Sequence, residues 1–206
     1  NGWLAARSYL TARDPNGPKN LANVDWARTR AYAVGLNSLY LNLAGREGQG
    51  SLPPAEAPSL AAALQSELGA WRGPDGRAVV QRVYTRAEAL EGPLATYGPD
   101  LLVGYSPGYR ASAETGLGEW AEPLIAANSD HWGADHCIDP PAVPGVLFAS
   151  QGLSGLPHPT YRDIPALALD RPIDPGRAAP PPPPAGQLRP EDQDAVAERL
   201  KSLGYL

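Results

Sequence analysis

Methionine is absent from the 206-residue chain, while cysteine and phenylalanine each occur once. Lysine occurs only at Lys19 and Lys201. The single Cys137 excludes an internal disulfide and any zinc ribbon built from several thiolates. With a net charge of −5, the chain lacks the broad basic footprint that a nucleic-acid backbone demands, so no nucleic-acid-binding surface is expected. No apolar run approaches the roughly 18 residues that mark a helix crossing a bilayer, and no membrane span is expected. There is no Gly-X-Y period, which excludes a collagen-like chain. The Gly-x-Ser-x-Gly spacing occurs once, at Gly104-Tyr105-Ser106-Pro107-Gly108, and the string 151–155 lacks it. A Walker loop and a Gly-x-Gly-x-x-Gly turn after a strand are missing. The chain opens Asn1-Gly2-Trp3, which reads as a processed or partial product.

What is present is ordinary for a globular chain: 43% hydrophobic and 19% charged residues. Pro 24 and Gly 22 are high counts, with much of the proline in one tail. Apolar spacing predicts a short helix over 2–12 and a turn at 14–18. Strands are expected at 31–34 and 39–43, the second from the alternation of Leu39, Leu41 and Leu43 with Tyr40 and Asn42. A Gly-rich turn follows at 45–50. Leu60, Leu64 and Leu68 form one stripe of a helix over 58–68, with Ser59 as its N-cap. Further strands are read at 78–84, 99–105 and 145–149, with a short helix or turn at 86–91 and one or two helical turns at 164–169. Prolines 180–184 mark an extended linker. Val196, Leu200 and Leu203 then form the stripe of a C-terminal helix that must dock on something.

Chemistry concentrates in 128–140, where Asp130, His131, Asp135, His136, Cys137 and Asp139 fall within ten residues. Imidazole supplies neutral nitrogen ligands and carboxylates orient them, so this density suits a metal or phosphate site; a polar turn bonded to its own backbone is the alternative. A second cluster, 107–116, holds Tyr109, Arg110, Ser112 and Thr115, which suit either an oxyanion or a capped turn. The segment 25–30 reads as a solvated helix start, and Gly45-Arg46-Glu47 as strand-end turn chemistry. His158, between two prolines, reads as loop.

The strings 24–33 (VDWARTRAYA), 39–47 (LYLNLAGRE), 99–104, 108–112 (GYRAS), 132–140 (WGADHCIDP), 143–148 and 198–206 together resemble a bacterial branch of the alkaline phosphatase superfamily. The branch is the type I phosphodiesterase and nucleotide pyrophosphatase-like group of phosphohydrolases and phosphomutases. The resemblance covers roughly 1–150 and 190–206. It implies an α/β fold: the C-terminal part of an alkaline-phosphatase-like sheet flanked by helices, with an inserted smaller α+β cap. It also implies two divalent metals, usually zinc, and a Thr or Ser nucleophile attacking the phosphorus of a small phosphate ester. His136 matches the family's last metal-binding His. Asp135 beside it is assigned to hold that imidazole, and Tyr109 and Arg110 to contact substrate. In such chains the nucleophile and most metal ligands lie upstream of the residues matched here, so no catalytic nucleophile is assigned. Downstream, 163–170 departs from the family's pattern and runs into prolines.

The organisation expected on this basis is 1–23 as the end of a core segment, 24–130 as the α+β cap, and 131–170 as the return to the core with the metal loop. A Pro-rich linker (171–189) and a docking helix (190–206) complete it. The expected function is that of a C-terminal segment of a metal-dependent phosphohydrolase, working with its N-terminal part or another chain. The competing readings are an inactive remnant serving as an interaction module, and a phosphomutase or sulfatase of the same superfamily.

Overall fold

In α2 (Ala57–Gly69), Leu60, Leu64 and Leu68 are all buried, one residue per turn along a single stripe. The alanines between them carry little entropic cost in a helix. The N-terminus differs from expectation. A single 3₁₀ turn, Pro54–Glu56, runs directly into the helix, and Ser59 Oγ donates to the Glu56 carbonyl at 2.8 Å instead of accepting from the backbone. Ser59 therefore sits inside the first turn and is no N-cap.

These elements belong to a computed structural model that describes residues 1–129, 137–143, 145–150, 161, 163–169 and 171. Four strands are formed: β1 (Ala31–Ala33), β2 (Ser38–Leu41), β3 (Val80–Thr85) and β4 (Leu101–Tyr105). They make one antiparallel sheet in the order β1-β2-β4-β3. The fold is thus mixed α/β, with short helices around the sheet: α1 (Gly2–Ala6), α3 (Arg86–Ala89), α4 (Ala113–Gly116) and α5 (Ile164–Ala168) accompany α2. Among the described residues, no helix is long and apolar enough to cross a membrane.

Register assigns the two faces. Tyr32 pairs with Tyr40, Leu39 with Leu101, and Val83 with Val103. Successive side chains alternate across a strand. Ala31, Ala33, Leu39, Leu41, Val83, Leu101 and Val103 therefore point to one face and are buried with the α2 leucines, Trp3, Leu4, Val24 and Leu52. The opposite face carries Tyr32, Tyr40, Arg82, Tyr84 and Gly104. Asn42 ends the alternation: it is fully buried, and its Nδ2 donates to the carbonyls of Trp26 and Thr29, both at 2.8 Å. That bond closes 25–29 as a turn rather than the start of a helix.

Two further expectations are corrected. The helix predicted over 2–12 stops at Ala6 because Ser8 takes a positive φ of 61° and the amides of Tyr9 and Leu10 both return to the Leu4 carbonyl. Trp3, Leu4 and Leu10 are nonetheless buried, and Tyr9 stacks on Trp3 with ring centroids 6.0 Å apart. The run 145–149 is not a strand. Val146 and Phe148 are 83% and 90% exposed, and no described strand pairs with the run. An apolar stretch becomes a strand only where an edge offers its amides partners. The 180–184 linker and the 190–206 helix lie outside the described residues.

Replacing Leu64, which is fully buried, with Ala should destabilise the chain by about 2–5 kcal/mol in urea unfolding. Ser59→Ala should cost less than the roughly 1 kcal/mol typical of a lost N-cap.

Candidate functional site

β4 organises the two ends of the sheet. At its C-terminal end, the Val103 amide donates to the Asn37 carbonyl and the Tyr105 amide donates to the Cys137 carbonyl at 3.0 Å. Amides two residues apart on a strand point to the same side. The segment 137–139 therefore takes up the β2 side of β4 just where β2 has left it. The Asp139 amide returns a bond to the Tyr105 carbonyl at 2.9 Å, making a parallel bridge between Tyr105 and Ile138. Cys137 and Asp139 are buried by this docking.

Asp139 is 2% exposed, and its Oδ1 accepts from the Tyr84 hydroxyl at 2.6 Å. Tyr84 reaches across from β3, with the Arg82 guanidinium 4.5 Å from its ring centroid. The space for the carboxylate exists because residue 104 is glycine. A Cβ there would stand 2.5 Å from Asp139 Oδ1 and 2.9 Å from Asp139 Cβ. The hydrogen bond to Asp139, then partial burial, raise the Tyr84 phenol above its ordinary pKa.

The sequence-assigned residues separate into two groups. His136 and Asp135 lie outside the described residues, as do Asp130, His131 and His158. His136 immediately precedes the docked Cys137 in the chain. Tyr109 and Arg110 are described and make different contacts. The Tyr109 hydroxyl donates to Asp75 Oδ1 at 2.8 Å, beneath the Arg77 guanidinium. Arg77, with help from Tyr109, holds Asp75 down to about 2. Arg110 Nη2 donates to Asn128 Oδ1 at 3.2 Å, which ties the 107–116 turn to the residue two before Asp130. Ser112 and Thr115 bond each other across the start of α4, as a turn would have them.

At the other end of β4, Asp100 gathers donors that residue-type reasoning missed. Its Oδ2 accepts from the Leu41 amide at 2.7 Å and from Arg46 Nη2 at 2.6 Å. Its Oδ1 accepts from Arg46 Nη1 at 2.9 Å and from Arg86. Glu47 completes the turn by accepting from the Leu43 amide at 2.8 Å and from the Tyr32 hydroxyl. Gly45-Arg46-Glu47 is strand-end turn chemistry, as its sequence indicated. A carboxylate directly before an apolar strand, in Pro99-Asp100-Leu101, was the available signal for its partner. Burial first, then the Glu47 carboxylate, push the Tyr32 phenol up to about 12.

Among the described residues, no group of three or more His, Cys, Asp or Glu side chains is placed to hold a metal. The open cleft between α1 and Trp120–Leu124 offers Glu122 as its charged group, and Glu122 pairs with Lys19 at 2.7 Å. No protein-family model matches the chain, and neither a curated protein nor a solved structure matches it.

Asp100→Ala should destabilise the fold by about 3 kcal/mol in urea unfolding, because two partly buried guanidinium groups lose their common acceptor. Tyr32 makes a separate contribution at high pH. Its folded pKa lies above its unfolded value, so its share of stability is complete below pH 10 and is lost as pH rises to about 12. Tyr32→Phe should flatten that part of the alkaline stability profile, read from unfolding midpoints across the interval.

Proposed function

We propose that this chain is the C-terminal part of a metal-dependent phosphohydrolase of the alkaline phosphatase superfamily, of the phosphodiesterase and nucleotide pyrophosphatase-like kind. Its substrate class is small phosphate esters. Its centre, of two divalent metals and most simply zinc, is completed by residues encoded upstream. In this reading the sheet of 31–105 belongs to the α+β cap of 24–130. The alkaline-phosphatase-like core sheet is then built with the upstream part.

The observation that carries the reading is the chain path after His136. The residues directly after the best candidate ligand are hydrogen-bonded to a central strand at both Cys137 and Asp139. Ligands supported by rigid elements hold their geometry better than ligands on loops alone. The donor set supports the partial character of the centre. Zinc needs three or four protein ligands, and a two-metal site more. Asp139 already accepts from the Tyr84 hydroxyl through Oδ1. His136, with Asp135 to orient it, does not fill such a centre. When bound, the metals would supply Lewis-acid stabilisation of the phosphoryl oxygens. What this chain contributes is one imidazole and the strand-like segment after it. Tyr109 and Arg110 remain the proposed substrate contacts, with Asp75 and Asn128 fixing their present positions.

A second reading, a non-catalytic module covered by another chain, is favoured by the exposure of Val146, Phe148 and Tyr161. Under the first reading the upstream part covers these side chains. Sedimentation separates the two, since a module should associate without metal.

The decisive experiment is to recover the coding sequence upstream of Asn1 and express the complete product. A Thr or Ser nucleophile and an Asp-His pair are expected there. His136→Ala should lower zinc-dependent phosphodiester turnover by about 100-fold or more. The 206-residue chain alone should show no turnover above its own His136→Ala control. Turnover by the chain alone, or an upstream region without those residues, overturns the proposal.

A further inference from the structure

The contact between β3 and 137–139 has more in it than a loop anchor requires. The backbone bridge at Tyr105 already sets the register of 137–139. Across it, Tyr84 from β3 reaches the buried Asp139 carboxylate, which lies over Gly104. Three residues from three parts of the chain are thereby mutually dependent. Without the glycine the carboxylate has no room. Without the phenol a buried carboxylate loses its charge-assisted donor, the stronger kind of hydrogen bond. Without an acceptor at position 139 the Tyr84 bond to the end of 137–139 is lost. Glycine in a strand interior otherwise costs stability, so its presence here fits the need for space.

We propose that Tyr84, Gly104 and Asp139 form a latch that holds 137–139 against β4, with Tyr84 as a positioning residue for the chain entering at His136. The latch rests on the metal reading only for its purpose; its existence as a local, separable closure is a claim about described residues alone. When the latch opens, 137–139 leaves β4 while the sheet stays folded. Cys137, buried inside the closure and the only cysteine of the chain, reports that opening directly.

The test is the rate at which a thiol reagent labels Cys137 in the 206-residue chain, measured from zero to low urea. Labelling of a protected thiol follows the population of the open form. Tyr84→Phe removes one charge-assisted bond and should speed labelling about tenfold. Gly104→Ala should act in the same direction, although alanine is the better strand residue on propensity. Asp139→Asn keeps an acceptor for Tyr84 and should stay within about threefold of the parent rate. In each variant the rate should be nearly independent of low urea, since a local opening exposes little surface. Equal rates in parent, Tyr84→Phe and Gly104→Ala would overturn the latch. So would labelling that rises steeply with urea in step with global unfolding. No metal enters this assay, so its failure is distinct from loss of the metal assignment, which the His136→Ala turnover measurement decides.

Discussion

The sheet depends on one carboxylate. Asp100 stands at the entry of the central strand and accepts from the Leu41 amide at the end of β2, from Arg46 in the turn beyond, and from Arg86 just after β3. A carboxylate has about four acceptor positions and no donor, and a guanidinium offers donors in a planar fork. Asp100 uses that capacity to bring three separate connections to one point. Leu101, fully buried immediately after it, pairs with Leu39 of β2 and belongs to the core cluster that holds the α2 leucines.

From that fixed entry, β4 carries the constraint to its other end. It runs between β2 and β3, and where β2 departs its open side receives 137–139. The apolar face of the sheet is spent on the core. The other face is lined by tyrosines and Arg82, and the latch over Gly104 is built there. The two ends of one strand thus serve different purposes. A saturated ion-pair network positions the strand, and a phenol–carboxylate bond positions the segment just past the candidate ligand. In the 107–116 turn, Tyr109 and Arg110 are instead bonded to Asp75 and Asn128.

Periodic segments were legible from residue order. The Leu60-Leu64-Leu68 stripe, the apolar run before Tyr84 and the run after Asp100 all became the elements their spacing indicated, because burial of one face acts on every turn or every second residue. Segments governed by single contacts were not legible. Helical spacing over 2–12 was real in its burial and false in its geometry, since Ser8 reverses the chain and still delivers Leu10 to the core. Ser59 had the identity of a cap without the position of one. The run 145–149 had the composition of a strand, yet no described strand pairs with it. Asp100, Arg86 and the Tyr84–Asp139 pair are separated by between 14 and 55 residues, and no local pattern links them.

Composition and spacing by themselves determined that the chain has a core, that its charge disfavours nucleic acid, and that 57–69 is helix and the runs ending at Tyr84 and Tyr105 are strands. They also singled out 128–140 as the densest chemistry in the chain. Only the tertiary structure decided the strand order, the partner of Arg46, and the docking of 137–139 on β4. The physical reason is range. Side-chain periodicity is a property of neighbours in sequence, whereas the capacity of a carboxylate or a strand edge is filled by whichever donors the fold brings within hydrogen-bonding distance.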